Sequence, residues 1–235
     1  MSDTTPQVQA SLERRASDVT FLIAYTFAKA LDDSSNFNDY MNFTNYRLSR
    51  GLSNFDVQHN LVGSYSWAIP FNRAFAGAPK RLTEGWTING ITRFATGFPI
   101  QIRQGNGDIS LTGSNSDNPN LVGPITILDP RNLDANGGNR YFLASAFQEN
   151  TVLGTFGTSP RRFFHGPGII NTDFGMSKRT RITESMAFEI RGEFFNIFNH
   201  TQFSNPSGNI SSSRFGLVSS ARDPRIGQVS AKFYW

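Results

Sequence analysis

The last ten residues of the chain, 226–235, alternate between apolar and polar side chains and end on an aromatic residue. A period of two places successive side chains on opposite faces of a β-strand, so Phe233 and Trp235 share one face. A soluble domain rarely leaves such an apolar pair on a terminal strand, because chain ends fray. A transmembrane β-barrel accommodates the pair, because its final strand closes the ring against the first. The terminus therefore predicts a membrane-embedded barrel strand.

The composition agrees with a barrel. Only 38% of the 235 residues are hydrophobic, although aromatic residues reach 13% and Phe alone numbers 22. Barrel strands carry one apolar residue in two, which keeps the mean hydropathy low while aromatic residues accumulate. The chain has no cysteine, which suits a protein that crosses an oxidising periplasm. Although the net charge is +4, the Lys and Arg residues are scattered, so we expect no nucleic-acid partner.

Segments of period-two alternation, bounded by turn residues, predict about seven strands. These segments are residues 7–14, 19–29, 57–69, 85–103, 170–178, 186–198 and 226–235. The connections between them alternate between short and long, as the periplasmic turns and extracellular loops of outer-membrane barrels do. The predicted fold class is thus all-β, an antiparallel up-and-down transmembrane β-barrel segment.

The alternation also assigns faces to the predicted strands. We expect the apolar set to face lipid: Phe174, Met176, Phe188, Ile190 and Phe194. We expect the charged set to face the lumen: Arg93, Glu189, Arg191 and Glu193. On the strand 186–198 by itself, a soluble sandwich with the apolar strip as its core explains the pattern equally well.

Tryptophan gives the predicted sheet an orientation. With the C-terminus in the periplasm, Trp67, Trp86 and Trp235 all fall at the periplasmic rim, as an aromatic girdle at a membrane interface requires. Outer-membrane proteins characteristically end on an aromatic residue that the barrel-assembly machinery reads. We therefore predict that Phe233 and Trp235 form the assembly signal.

Five segments of the chain resemble the C-terminal barrel region of TonB-dependent outer-membrane receptors, specifically the Oar-like group with an N-terminal carboxypeptidase-regulatory-like domain. They are Tyr25-Thr26-Phe27-Ala28-Lys29-Ala30-Leu31-Asp32-Asp33-Ser34-Ser35, Asn54-Phe55-Asp56-Val57-Gln58-His59-Asn60 with Gly63-Ser64-Tyr65, Gly85-Trp86 with Gly97-Phe98-Pro99, His165-Gly166-Pro167-Gly168, and Arg191-Gly192-Glu193-Phe194-Phe195-Asn196-Ile197-Phe198-Asn199-His200-Thr201. The resemblance covers the chain from about Leu12 to Trp235.

The resemblance implies a transporter that imports a bulky ligand across the bacterial outer membrane, driven by an inner-membrane TonB system that contacts a plug domain. Such barrels have roughly 22 strands. Residues 1–235 would then be the C-terminal part of the barrel, with the plug and the signal sequence absent, since residues 1–9 show no secretory signal pattern. The expected partners are outer-membrane lipid, the assembly machinery, the remainder of the barrel and an unknown ligand.

Catalytic and metal-binding patterns are absent from the sequence, so we expect no enzyme activity, no cofactor and no metal. His59, His165 and His200 lie in different segments, without an acidic or Cys partner at ligand spacing, which favours hydrogen bonding in loops. The pair Asp32-Asp33 favours a solvated loop over a cation site. Loop aromatic residues offer stacking surfaces for a ligand, although packing between loops is the simpler role: Tyr40, Tyr46, Tyr141 and Phe147.

Two other functional classes stay open on the sequence. One is a soluble, secreted β-sandwich or lectin-like binding module. The other is an adhesion or surface-assembly barrel without transport.

Overall fold

A computed structural model describes residues 5–36, 39, 42, 45–105, 107–113 and 117–235. Its main element is a single antiparallel sheet of seven strands. The strands are β1 (Gln7–Arg15), β2 (Val19–Ala28), β5 (His59–Ile69), β6 (Trp86–Ala95), β11 (Ile169–Arg181), β12 (Ala187–Phe195) and β13 (Ile226–Tyr234). Each strand pairs with the next in this order, so the sheet is an up-and-down meander. The predicted all-β antiparallel fold is confirmed.

The remaining elements are short and lie in the connections. The minor strands are β3 (Leu31–Asp32), β4 (Gly51–Leu52), β7 (Pro99–Gln101), β8 (Asn120–Leu121), β9 (Phe147–Gln148) and β10 (Arg162–His165). The helices are α1 (Tyr46–Ser49), α2 (Phe71–Ala74), α3 (Lys80–Thr83) and a 3₁₀ turn, Ala144–Ala146. Within the described part of the chain, every helix is too short to cross a membrane.

The register places the apolar sets of all seven strands on one face of the sheet. Directly paired residues lie on the same face of an antiparallel sheet, and the apolar residues pair with one another. Examples are Phe21 with Tyr65, Trp67 with Ile88, Phe174 with Phe194, and Phe188 with Phe233. The opposite face is mostly polar. The sheet is open, and β1 and β13 form its two edges.

The fourth predicted strand, 85–103, is wrong in its second half. It divides into β6 and β7, with a break at residues 96–98. An added Cβ at Gly97 would overlap the carbonyl oxygens of Gly166 and Pro167, so the chain turns here against another backbone. Pro99 then lacks the N–H that would continue the ladder. As a result, Ile100 and Ile102 leave the sheet and become almost fully buried among the loops.

The sixth predicted strand, 186–198, also ends earlier than expected. Asn196 and Asn199 both adopt φ of 51°, which stops β12 at Phe195. Asparagine tolerates this left-handed backbone because its short polar side chain bonds locally. The Asn196 Oδ1 accepts the His200 N–H at 2.9 Å. The fifth strand is longer than predicted, since β11 continues to Arg181.

Candidate functional site

The three long connections of the main sheet lie at the same end. They are loop 1 (29–58, between β2 and β5), loop 2 (96–168, between β6 and β11) and loop 3 (196–225, between β12 and β13). The short connections, including the turns after β1 and β11, lie at the opposite end. We call the three long loops together the loop assembly.

The loop assembly has its own apolar core. Its buried members come from loops 2 and 3: Ile100, Ile102, Phe142, Ala146, Phe147 and Phe215. Phe142 makes edge-to-face contacts with Phe147 and Phe215, whose ring centroids lie 5.9 and 5.2 Å away. Such geometry is favourable beyond simple burial. Loops 2 and 3 therefore pack against each other.

A buried ionic network joins loop 2 to loop 1. Arg161 donates from Nη1 to Asp39 Oδ2 at 2.6 Å and from Nη2 to an oxygen of Asp32, and its Nε donates to the Ser49 carbonyl at 2.9 Å. Arg162 Nη2 donates to Asp39 Oδ1 at 2.7 Å. All four charged side chains are at most 7% exposed. The two cations and two carboxylates balance in charge and are joined by direct hydrogen bonds, which is what buried charges require.

The carboxylates of this network are held in their ionised form. Burial raises the pKa of Asp32, but hydrogen bonds from Ser53, Ser35 and Arg161 outweigh burial and bring the pKa below its ordinary value. Burial also raises the pKa of Asp39, but other interactions outweigh it. There the hydrogen bond from Arg162, a backbone N–H and the charges of both arginines lower the pKa.

A second, partly buried contact joins the same two loops. His165 Nε2 lies 2.7 Å from Asp56 Oδ2, and the other oxygen of Asp56 accepts the Ala30 N–H at 2.6 Å. Tyr141 donates its hydroxyl to the His165 carbonyl at 3.0 Å, and burial raises the pKa of Tyr141. This histidine thus has the hydrogen-bonding role in loops that the sequence favours.

Two of the resemblance segments contact each other at the base of loop 2. The Gly166 N–H donates to the Phe98 carbonyl at 2.9 Å, and Asn205 Nδ2 donates to the Phe98 and Pro99 carbonyls, both at 3.2 Å. The segment Gly97-Phe98-Pro99 and the segment beginning at His165 are therefore two sides of one backbone contact. Their glycines permit this approach, which explains why both segments are glycine-rich.

On the polar face of the sheet, the predicted charged residues form a ladder along β12. Arg191 Nη2 lies 3.1 Å from Glu189 Oε1, and Arg191 Nη1 lies 3.5 Å from Glu193 Oε1. These ion pairs run along the strand. The neighbouring strand β13 contributes hydrogen bonds instead, from Gln228 to Glu193 at 2.6 Å and from Tyr234 to Glu189 at 3.1 Å.

Arg93 lies further toward the loop assembly on the same polar face. Its Nε donates to Asn60 Oδ1 at 2.9 Å. It lines a cleft of about 360 Å³ between the polar face and loop 3. The other charged residues of this cleft, which we call the polar cleft, are Asp173, Arg222 and Asp223, and they lie beside the apolar Ile169, Phe195, Pro224 and Ile226. A lining with charges of both signs beside apolar side chains suits a ligand that has both charged and apolar groups.

The predicted apolar set lies on the opposite face. Phe188, Ile190 and Phe194 are 39–46% exposed, while Phe174 and Met176 are half-buried by their neighbours. Where this face meets the loop assembly there is a mainly apolar cavity of about 760 Å³. Its walls include Tyr25, Leu61, Phe94, Ile127, Pro130 and Phe203.

The three tryptophans lie at the end of the sheet opposite the loop assembly. Trp67 is close to the end of β5 and pairs with Ile88, while Trp86 is the first residue of β6. Trp235 directly follows β13, and its ring stacks on Phe233 with centroids 6.4 Å apart.

One sequence hypothesis about the loops needs correction. Asp32 is buried and paired with Arg161, so the solvated loop expected for it is wrong. Phe147 has the simpler role expected of the loop aromatic residues, since it packs in the loop core. Tyr141 donates its hydroxyl to the His165 carbonyl, whereas Tyr46 is 62% exposed. Tyr40 lies outside the described residues.

The residues of the ionic network were not predicted as a group. The only sequence signal was the adjacent pair Arg161-Arg162, because its acidic partners are more than a hundred residues away along the chain. Among the described residues, no group of three or more His, Asp or Glu side chains could hold a metal ion.

Comparison with known proteins gives one match. A family model described as an outer membrane beta barrel domain matches residues 5–228. No curated protein and no solved structure matches the chain.

Proposed function

The chain belongs to the outer membrane β-barrel family and resides in the bacterial outer membrane, and from this premise we propose that it forms the C-terminal strands of a TonB-dependent receptor of the Oar-like type. The complete receptor imports a bulky ligand. The observation that carries the proposal is the polar cleft, in which Arg93 and Arg222 lie between the polar face of the sheet and the loop assembly.

The dimensions of the strands support a membrane span. The seven strands of the sheet contain 9–13 residues each, and a tilted strand of about 9–11 residues crosses the hydrocarbon core. In this arrangement Phe174, Met176, Phe188, Ile190 and Phe194 face lipid, while Arg93, Glu189, Arg191 and Glu193 face the lumen. A polar lumen and an apolar exterior are typical of transmembrane barrels.

The open sheet edges support a larger barrel. Lipid cannot satisfy the unpaired backbone groups along β1 and β13, and each such group costs several kcal/mol. We propose that these two edges pair with the remaining strands of the barrel, and that a plug inside the ring contacts the TonB system. The barrel-assembly machinery recognises β13 through Phe233 and Trp235.

A fixed loop assembly also suits ligand capture. The apolar core joins loops 2 and 3, and the buried ionic network joins loop 1 to loop 2 through Asp39 and Arg161. A preordered surface loses less conformational entropy on binding. The ligand then contacts the loops first and the polar cleft next.

Energy-dependent uptake in the source bacterium tests the proposal. Cells that lack the gene are compared with complemented cells for uptake of fluorescent oligosaccharides, peptides and ferric chelates. We expect one ligand class to be lost on deletion and restored by the wild-type gene, with uptake abolished by a protonophore. Complementation with R93Q/R222Q should restore insertion but little uptake, whereas R47Q/R214Q, at exposed loop positions, should restore both.

Equal uptake of every ligand with and without the gene would contradict the transport proposal. Normal membrane insertion in the same cells would then favour the adhesion or surface-assembly barrel.

A further inference from the structure

A cavity of about 590 Å³ lies at the end of the sheet opposite the loop assembly, where β11 ends and α3 precedes β6. Its lining contains five cationic side chains: Lys80, Arg81, Lys178, Arg179 and Arg181. Among the described residues, two carboxylates line the same cavity, those of Glu84 and Glu184. The cavity, which we call the basic cavity, therefore has a clear excess of positive charge.

Two of the cations are fixed by the protein itself. Lys178 is 9% exposed, and its Nζ donates to the Glu84 carbonyl at 2.7 Å and to Thr180 Oγ1 at 3.0 Å. The Arg179 guanidinium lies 4.4 Å from the ring centre of Tyr234. Lys178 pairs in register with Trp86 on the apolar face, and Arg179 pairs with Glu189 on the polar face, so the cavity lies at the rim where the two faces meet.

The other three cations are not paired within the described part of the chain. Lys80, Arg81 and Arg181 are exposed, and none of them makes a side-chain hydrogen bond or ion pair within the described ranges of the chain. Three uncompensated cations around a preformed cavity favour an anion with several oxygen atoms, such as a phosphate group.

The position of the cavity identifies the source of the phosphate. Lys178 pairs in register with Trp86 and lies 5.8 Å from its ring centre, so the basic cavity adjoins the tryptophan end of the sheet. Tryptophan rings settle at the headgroup level of a membrane. We propose that the basic cavity binds the phosphate headgroup of an anionic glycerophospholipid in the periplasmic leaflet. This assignment rests on the orientation in the proposed function, with the loop assembly outside the cell.

Lipid retention by the full-length receptor tests this site. The protein is reconstituted in nanodiscs of equal parts phosphatidylglycerol and phosphatidylcholine, extracted in mild detergent, and analysed by native mass spectrometry. We expect phosphatidylglycerol to be retained preferentially. In the triple variant K80Q/R81Q/R181Q, the ratio of retained phosphatidylglycerol to phosphatidylcholine should fall at least about tenfold, since each cation near a membrane surface favours anionic lipid.

A matched triple variant, R47Q/R103Q/R214Q, removes the same charge from exposed positions in the loop assembly. It should change the lipid preference less than about twofold. Equal retention of both lipids by the wild-type protein would overturn the proposal, as would an equal loss in both triple variants. Displacement of the lipid by millimolar glycerol 3-phosphate would also overturn it, because the site would then take a soluble anion. Uptake measured in the same variants reports on transport separately.

Discussion

Arg161 Nη1 donates a hydrogen bond of 2.6 Å to Asp39 Oδ2, although 122 residues separate the two along the chain. Both side chains are 2% exposed. The same carboxylate accepts hydrogen bonds from Arg162, so one residue of loop 1 fixes the position of two consecutive residues of loop 2. The conformation of the loop assembly therefore depends on a few buried charges.

Replacement of Arg161 by Met should release loop 1 from loop 2. The change leaves Asp32 and Asp39 buried with less compensation, and removal of one partner from a buried ion pair costs about 3–5 kcal/mol. Limited trypsin proteolysis of the inserted protein should give new cleavage in loop 1. The control is R131M, which breaks an exposed pair with Asp129 and should cost less than about 1 kcal/mol. Equal protease resistance in R161M and R131M would contradict the structural role of the network.

The loop assembly should loosen in acid. Asp32 and Asp39 have pKa values lowered by folding, so they stabilise the folded loops fully above the unfolded value, about pH 4. That stabilisation is lost as the pH falls through the lower folded pKa. Hydrogen exchange, corrected for its intrinsic rate, should show reduced protection in loop 1 below pH 4. In the variant D39N, loop 1 should be less protected from exchange at pH 7, and its protection should change less with pH. The same pH profile in D39N and the wild-type protein would show that Asp39 does not cause the acid sensitivity.

Substitution of Gly97 by Ala should destabilise the base of loop 2. A Cβ there would overlap the backbone carbonyls of Gly166 and Pro167, which cannot move as a flexible side chain can. Overpacking of this kind costs about 1–3 kcal/mol. G63A is a matched control, because a Cβ at Gly63 meets nothing within 4 Å. Urea denaturation of the refolded protein measures both, and an equally stable G97A would argue against the close contact.

The two faces of β12 should differ in their tolerance of charge. Arg at Ile190 should cost about 2–4 kcal/mol if the position is near the bilayer midplane, because lipid cannot solvate the guanidinium. R191Q should cost much less, since the lumen is polar. Folding titrations into lipid vesicles measure both changes. Similar costs at the two positions would contradict the proposed lipid and lumen faces.

Deletion of residues 233–235 should block assembly. Phe233 pairs with Phe188 at the edge of the sheet, and Trp235 stacks on Phe233. We expect the truncated full-length protein to accumulate as aggregated or degraded chain in the periplasm, which membrane fractionation detects. The control I226A changes the opposite end of β13 and should insert normally. Normal insertion of the truncated protein with impaired uptake would place these residues in transport.

The strand pattern could be predicted because it is local. All seven strands of the main sheet were expected. Each begins within two residues of its predicted start, and all but the strand predicted over 85–103 end within three residues of the predicted end. The two strands that end early have a non-local cause or a special backbone. The segment 85–103 is broken by the backbone of Gly166 and Pro167, and the segment 186–198 is cut short by the left-handed Asn196.

The sequence by itself determined the alternation of the strands, the side of the sheet on which each residue lies, and the alternation of short and long connections. These follow from a period of two and from turn residues, which act over a few positions. Only the tertiary structure decided that Ile100 and Ile102 leave the sheet, that Asp32 is buried, and that Arg161 and Asp39 meet. Such contacts depend on how distant segments converge in space, and a buried charge finds its partner by proximity in the fold, whatever their separation along the chain.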